Sequence, residues 1–200
     1  MAKRQASRPA VGVPAGELIF IGPPGVGKGT QAKRLTSATG WKQLSTGELF
    51  RDLKRETPLG RLARGYIDKG DYVPDDITVG MVREFIDELP AGTKVMFDGF
   101  PRTVAQARAL DDLLAERGRS IWRVLVLDAP RDELERRILA RSRAEGRTDD
   151  TPEVIGRRFD VYAEQTRPVV DYYDRKGVVQ HVDGVGGIDE VTARLIEAAR

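Results

Sequence analysis

The stretch Gly22-Pro23-Pro24-Gly25-Val26-Gly27-Lys28-Gly29-Thr30 constrains this chain more than any other. It follows the apolar run Leu18-Ile19-Phe20-Ile21 and leads into a helical pattern from near Lys28. Strand, glycine-rich turn and helix therefore arrive in the order a phosphate-binding loop requires. Glycines let the backbone curl so that successive N–H groups point into one concavity, the helix start adds partial positive charge, and Lys28 can reach outer phosphates. The general pattern places Ser or Thr directly after the Lys, whereas here Gly29 intervenes and the hydroxyl sits on Thr30. Direct ligation of magnesium by that hydroxyl is left open. A plain glycine-rich turn with an exposed lysine is the alternative, and three spaced glycines with Lys and Thr in this context argue against it.

Two hundred residues, 40% of them apolar, suit one α/β domain with a real core. The 32% of charged residues nearly cancel at +2, so no global basic field for nucleic acid or membrane is indicated. Positive charge must act locally. Of the 33 cationic residues, 8 are Lys and 25 are Arg, and a guanidinium can donate two parallel bonds to phosphate oxygens. Codon bias and solvated helix faces account for most of them equally well. With no Cys there is no disulfide, thiolate metal site or cysteine nucleophile, and a reducing cytoplasm is the expected home. Residues 1–15 are small, basic and Pro-containing without the apolar stretch of a signal peptide, and are expected to form a disordered tail ahead of a single domain over 16–200.

Along the chain, Lys28 to Thr39 has helical spacing with Gly40 as its stop. A short strand is expected at Lys42 to Leu44. Ser45-Thr46-Gly47-Glu48-Leu49-Phe50-Arg51 opens another helix with a hydroxyl cap, Pro58 can start the next, running to Lys69, and Gly70 to Asp75 is a turn before a helix over Ile77 to Glu88. Lys94 to Asp98 reads as a short buried strand that ends on a carboxylate and runs into Gly99-Phe100-Pro101-Arg102-Thr103; in open α/β sheets, ligands sit at strand C-terminal ends. A helix over Val104 to Arg117 precedes the clearest parallel strand, Trp122 to Leu127. Arg131 to Arg143 is helical, 145–150 is a loop, a helix begins at Thr151-Pro152 and is limited by Pro168, and Val169 to Lys176 forms a further short helix. Val178 to Val182 is the last strand and Ile188 to Ala199 the last helix. Five strands separated by helices imply a parallel sheet with right-handed crossovers. Arg137 and Arg141 share a helix face, where they either meet phosphate or pair with Glu133 and Glu135. Trp41, Trp122 and His181 read as structural.

Taken together, the loop Gly22 to Thr30, Leu44 to Gly47 with Arg51, Gly70 to Asp75, Asp98 to Thr103 with Gln106, Arg137 with Arg141, and Arg147 to Asp150 with Arg158 resemble the adenylate kinases of the nucleoside monophosphate kinase family over about residues 17 to 200. The resemblance implies a three-layer phosphate-loop fold with a five-stranded parallel sheet, a helical excursion over about 45–74 that binds the nucleoside monophosphate, and a lid. It implies reversible transfer of a phosphoryl group from magnesium ATP to AMP, giving two ADP. Carried over by position, Gly25, Val26, Gly27, Lys28, Gly29 and Thr30 hold ATP phosphates, with Lys28 following the moving group, and the backbone near Gly186 touches the ATP adenine. Thr46, Arg51, Asp71, Tyr72, Val73, Gly99, Phe100, Pro101, Arg102 and Gln106 hold AMP, with Gln106 on the base. Arg137, Arg141, Arg147 and Arg158 supply lid-side charge, and Asp98 orients magnesium through water. Only five residues separate Arg141 from Arg147, which resembles the short-lid form with a lid at about 141–147 and no zinc. A monomer in the cytoplasm, with nucleotides and neither nucleic acid nor membrane as partners, is the expectation.

Two other readings bear on the same residues. A UMP or CMP kinase shares the fold and most of the arginines, but Thr46 and Gln106 favour AMP. A guanine-nucleotide switch would need an Asn-Lys-x-Asp motif, and the chain contains no Asn.

Overall fold

The computed structural model of the chain describes residues 16–54, 56–145 and 151–200. The expected tail over 1–15 lies outside them. Five strands form one parallel sheet in the order β2-β3-β1-β4-β5: β1 (Glu17–Ile21), β2 (Lys42–Ser45), β3 (Val95–Asp98), β4 (Ile121–Asp128) and β5 (Val179–Asp183). Helices α1 (Lys28–Thr39), α2 (Thr46–Asp52), α3 (Pro58–Ile67), α4 (Asp75–Asp87), α5 (Val104–Ala115), α6 (Arg131–Glu145), α7 (Pro152–Val161), α8 (Arg167–Asp174) and α9 (Ile188–Ala198) connect and cover it.

The central strands β1, β3 and β4 are mostly apolar because both of their faces are covered, whereas the edge strands β2 and β5 carry exposed polar residues such as Lys42, Gln180 and His181. Leu18 and Phe20 of β1, Met96 of β3 and Leu125 and Leu127 of β4 join α1, α6, α7 and α9 through Leu35, Ile138, Phe159 and Leu195. The alternate residues Ile19, Ile21, Phe97, Val124 and Val126 face Val82 of α4, Leu110 of α5 and Tyr173 of α8. Period-two alternation thus feeds two cores from one set of strands. A third, smaller cluster of Phe50, Ala63 and Val73, flanked by Ile67 and Met81, holds α2, α3 and the start of α4 together.

Topology sets the position of the site. From β1 the chain passes through α1 to β2, beyond β3 on one side; from β3 it passes through α5 to β4, on the far side of β1. Connections leaving adjacent strands in opposite directions open a crevice at their carboxyl ends. The glycine-rich loop after β1 and Asp98 at the end of β3 both lie there.

Two departures from the sequence expectation have physical causes. Pro168 does not end a helix: α7 runs into a π-helical turn (Tyr162–Thr166) and then α8, with Pro168 in its first turn. Proline has no N–H to give to the carbonyl four residues back, and the wider turn ahead of it accommodates that loss without stopping the helix. The helix expected from Ile77 begins at Asp75, where two acidic residues complement the positive end of its dipole. At the opposite end of the sheet, Glu17 is 2% exposed. Its carboxylate accepts the Val95 N–H at 2.5 Å and Arg119 Nε at 2.7 Å, while Arg119 Nη2 donates to the Thr93 carbonyl at 2.7 Å.

Candidate active site

The loop after β1 is held in its curl by glycines whose conformations strain any side-chain-bearing residue. Gly25 has φ +82° and Gly27, capping α1, has φ +97°, both in the left-handed region that costs side-chain-bearing residues about 1–2 kcal/mol. A Cβ on Gly25 would stand 2.7 Å from the Leu134 carbonyl oxygen and 2.7 Å from Ile138 Cγ1, so the loop can lie on α6 only because it lacks one. Lys28 folds over the loop, donating from Nζ to the carbonyls of Gly22 at 2.5 Å and Pro23 at 3.1 Å. Gly27, Gly29 and Thr30 are exposed at the loop mouth and Val26 is buried beneath it. On α1, Gln31 donates to the Ile188 carbonyl at 3.0 Å and accepts from Thr192 Oγ1 at 2.7 Å, fixing the helix that carries the loop against α9.

Across the crevice, Asp98 is 6% exposed and accepts Gln43 Nε2 at 2.9 Å. Burial pushes its carboxyl above the ordinary range, and the nearby Lys28 charge, the Gln43 hydrogen bond and Arg102 work against that rise. A buried carboxylate facing a lysine ammonium is placed to use a cation.

The turn after β3 organises the other side of the crevice. Gly99 has φ +74°, and a Cβ there would meet Arg102 Nη2 at 2.9 Å and Thr46 Oγ1 at 3.3 Å. Its carbonyl accepts both Thr46 Oγ1 at 2.9 Å and Arg102 Nε at 2.6 Å. The Arg102 guanidinium lies 4.8 Å above the Tyr72 ring. Tyr72 shares a 2.8 Å hydrogen bond with Thr166 of the π-helical turn, and Thr166, 4% exposed, also donates to the Arg102 carbonyl at 3.0 Å. Phe100 and Pro101 are buried between the strand and this cluster, and Val73 belongs to the small helical core. Gln106 is buried, with Oε1 accepting the Arg102 backbone N–H and Nε2 donating to Asp75, both at 2.7 Å. Arg51 is exposed, its guanidinium lying along Gly47 at the start of α2.

Helices α6 and α7 supply the remaining arginines. Arg137 pairs with Glu133 at 2.6 Å, as a helix-face reading expects, but Nη1 also donates to the Gly184 carbonyl at 3.1 Å and the Val26 carbonyl at 3.4 Å. Arg137 thereby ties α6 to the phosphate loop and to the loop that carries Gly186. Gly186, with φ +124°, is exposed just ahead of α9. The stem of Arg158 packs toward Gly70, and the neighbouring Arg157 donates to Asp71 at 2.7 Å. The Arg141 side chain and residues 146–147 of the expected lid over 141–147 lie outside the described residues, whereas 141–145 form the end of α6. His181 pairs with Asp128 at 2.7 Å on the surface and Trp41 is buried in the core, in keeping with structural roles.

Four contributions were invisible as pattern: Gln43, the Asp75 carboxylate on Gln106, Thr166 and the Tyr72 hydroxyl. Asp75 at a helix start reads as a dipole complement, and Thr166 sits 94 residues from its Tyr72 partner. Only the network around Asp98 to Gln106 could have singled them out.

An anion-binding loop at a switch point, faced by a buried carboxylate and an arginine-bearing turn on the next strand, defines a phosphate-loop nucleotide-binding α/β protein. Residues 20–178 match the adenylate kinase family model. The chain is 51% identical over 179 residues to the adenylate kinase of Thermus thermophilus, covering 89% of this chain and 94% of that protein. It is 47% identical over 182 residues to that of Micrococcus luteus, covering 90% and 89%, and 41% identical over 182 residues to that of Phocaeicola vulgatus, covering 90% and 96%. The chain belongs to the adenylate kinase family.

Proposed function

We propose that this chain is an ATP:AMP phosphotransferase, moving the γ-phosphoryl group reversibly from magnesium ATP to AMP to give two ADP. The observation that carries the reading is the convergence of the Gly22–Thr30 loop, Asp98 and the Gly99–Arg102 turn on one crevice. Transfer of a phosphoryl group needs little covalent help from the protein, so positioning and positive charge are the chemistry required. The loop amides and Lys28 hold and follow the donor phosphates. Arg51 and Arg102 take the acceptor phosphate, with Arg102 released from the Gly99 carbonyl as phosphate replaces it. Thr46 and Gln106 face the acceptor base, with the 71–73 backbone beside it, and the Gly186 backbone touches the donor base. Arg137, Arg141, Arg147 and Arg158 complete the cationic surround from the lid side.

Magnesium fits a donor set of one buried carboxylate, because that ion keeps several waters and takes the rest of its shell from substrate phosphates. Asp98 would hold it through water, and when bound it neutralises phosphate charge. The segment over about 45–74 is assigned to acceptor binding and about 141–147 to a short lid that excludes water, the remainder of 16–200 forming the kinase core. No helix among the described residues is long and apolar enough to cross a membrane. The near-neutral charge supports nucleotides, not nucleic acid or a membrane surface, as partners, and a monomeric, cytoplasmic enzyme is the accompanying proposal.

Thr46 and Gln106 favour AMP over pyrimidine acceptors. A coupled assay with AMP, UMP, CMP and GMP tests the assignment: AMP is expected to lead in kcat/KM by at least about tenfold, a margin of about 1.4 kcal/mol. Equal or better turnover of UMP or CMP would overturn it.

A further inference from the structure

We propose that Asp75 is a specificity-determining positioning residue for the acceptor base, its carboxylate locking the Gln106 amide in the one orientation that matches adenine. The proposal rests on the reading of Gln106 as the base-facing side chain. Asp75 Oδ1 accepts Gln106 Nε2 at 2.7 Å, and the Arg102 backbone N–H donates to Gln106 Oε1 at 2.7 Å. A carboxylate only accepts and a backbone N–H only donates. Turning the amide over would set NH₂ against N–H and carbonyl against carboxylate, so both bonds would become repulsions.

Asp75 is itself held. Thr103 Oγ1 donates to Asp75 Oδ2 at 2.8 Å while accepting the Gln106 backbone N–H at 3.1 Å as the cap of α5. The first turns of α4 and α5 are therefore pinned to one another with Gln106 between them. An amide side chain offers two donors and two acceptor lone pairs, and Gln106 spends one of each within the chain although it is only 1% exposed. That gives each amide atom the one partner a buried polar atom normally has and leaves the other half of its capacity for a ligand. What remains is one lone pair on Oε1 beside one N–H on Nε2. The adenine edge offers the complement, an exocyclic N–H beside a ring acceptor nitrogen. A 6-oxo purine offers a carbonyl beside a ring N–H, the reverse order, and can meet this amide only if it flips. Asp75 prevents the flip.

The test uses the full chain with ATP in excess and compares kcat/KM for AMP and for the 6-oxo probe IMP. Asp75→Ala is expected to narrow the AMP:IMP ratio by about tenfold, the order expected for removing one charge-assisted restraint on the amide. The change should appear mainly in the KM for AMP, leaving the KM for ATP unaltered. Asp75→Asn should keep most of the ratio, since its carbonyl can still accept from Gln106 while its NH₂ turns to Thr103. If the alanine variant does not fold, Asp75→Ser, whose hydroxyl accepts or donates and tolerates either amide orientation, should show the same narrowing. An unchanged ratio in Asp75→Ala or Asp75→Ser alongside a collapsed ratio in Gln106→Ala overturns the role of Asp75 and leaves Gln106 as the reader. An unchanged ratio in Gln106→Ala overturns the reading of Gln106 itself, and the proposal with it.

Discussion

Replacing Arg102 with alanine should separate catalysis from folding, because the two uses of its guanidinium differ in magnitude. In the folded chain it makes a hydrogen bond to the Gly99 carbonyl at 2.6 Å and lies 4.8 Å above the Tyr72 ring. One hydrogen bond contributes about 1 kcal/mol net, and a partly exposed cation–π contact about 0.5–1. Arg102→Ala should therefore lose about 1–2 kcal/mol of stability, or roughly 2–8 °C in Tm for a chain of this size. A positioned donor on charge that develops in the transition state contributes more, about 2.7–4 kcal/mol, which is a 10²- to 10³-fold effect on rate. Initial rates at varied AMP, coupled to ADP detection, should show kcat/KM for AMP falling at least about a hundredfold, while circular dichroism reports a folded protein at the assay temperature. Near-normal turnover in that folded variant would remove Arg102 from the site.

Three further outcomes follow from particular contacts. Asp98→Asn should lose most activity with magnesium ATP, yet unfold no more easily at neutral pH. Its native carboxyl is pushed above the ordinary value of 3.8 by burial, so the native state holds the proton more tightly than the unfolded chain, and ionisation opposes folding as pH rises above that value. Thermal melts across pH 4–8 should show the asparagine variant gaining on the parent as pH increases, and the opposite trend would refute the burial argument. Arg119→Ala leaves the Glu17 carboxylate buried with one partner; breaking such a pair costs about 3–5 kcal/mol, about 6–20 °C in Tm, and a fall under about 2 °C would contradict it. Thr166→Val removes both the donor to the Arg102 carbonyl and the Tyr72 partner, and should raise the KM for AMP about tenfold, the equivalent of about one hydrogen bond. Thr166→Ser should restore it, and an equal rise in the KM for ATP would point to a general structural defect instead.

The legible part of this molecule was local. The Gly22–Thr30 loop needs glycine conformations and a following helix within nine residues, and Ser45, Thr57, Thr103 and Thr151 cap their helices through bonds spanning three residues. Pro168 misled because proline's effect depends on the turn ahead of it, and the π-helical turn at Tyr162–Thr166 removes the conflict. The resemblance implies a base-facing Gln106, but the orientation of its amide rests on Asp75, 31 positions away.

From the chain alone came the strand-loop-helix unit, the parallel α/β class and the family, since each depends on neighbours in sequence or on motifs with fixed spacing. The tertiary structure decided which charges meet. It set Glu17 against Arg119, Tyr72 against Thr166 and Arg102, and Arg137 against the Val26 and Gly184 carbonyls. Hydrogen bonds and ion pairs act over a few ångströms, and only the packing of elements from distant parts of the chain brings these residues within that range.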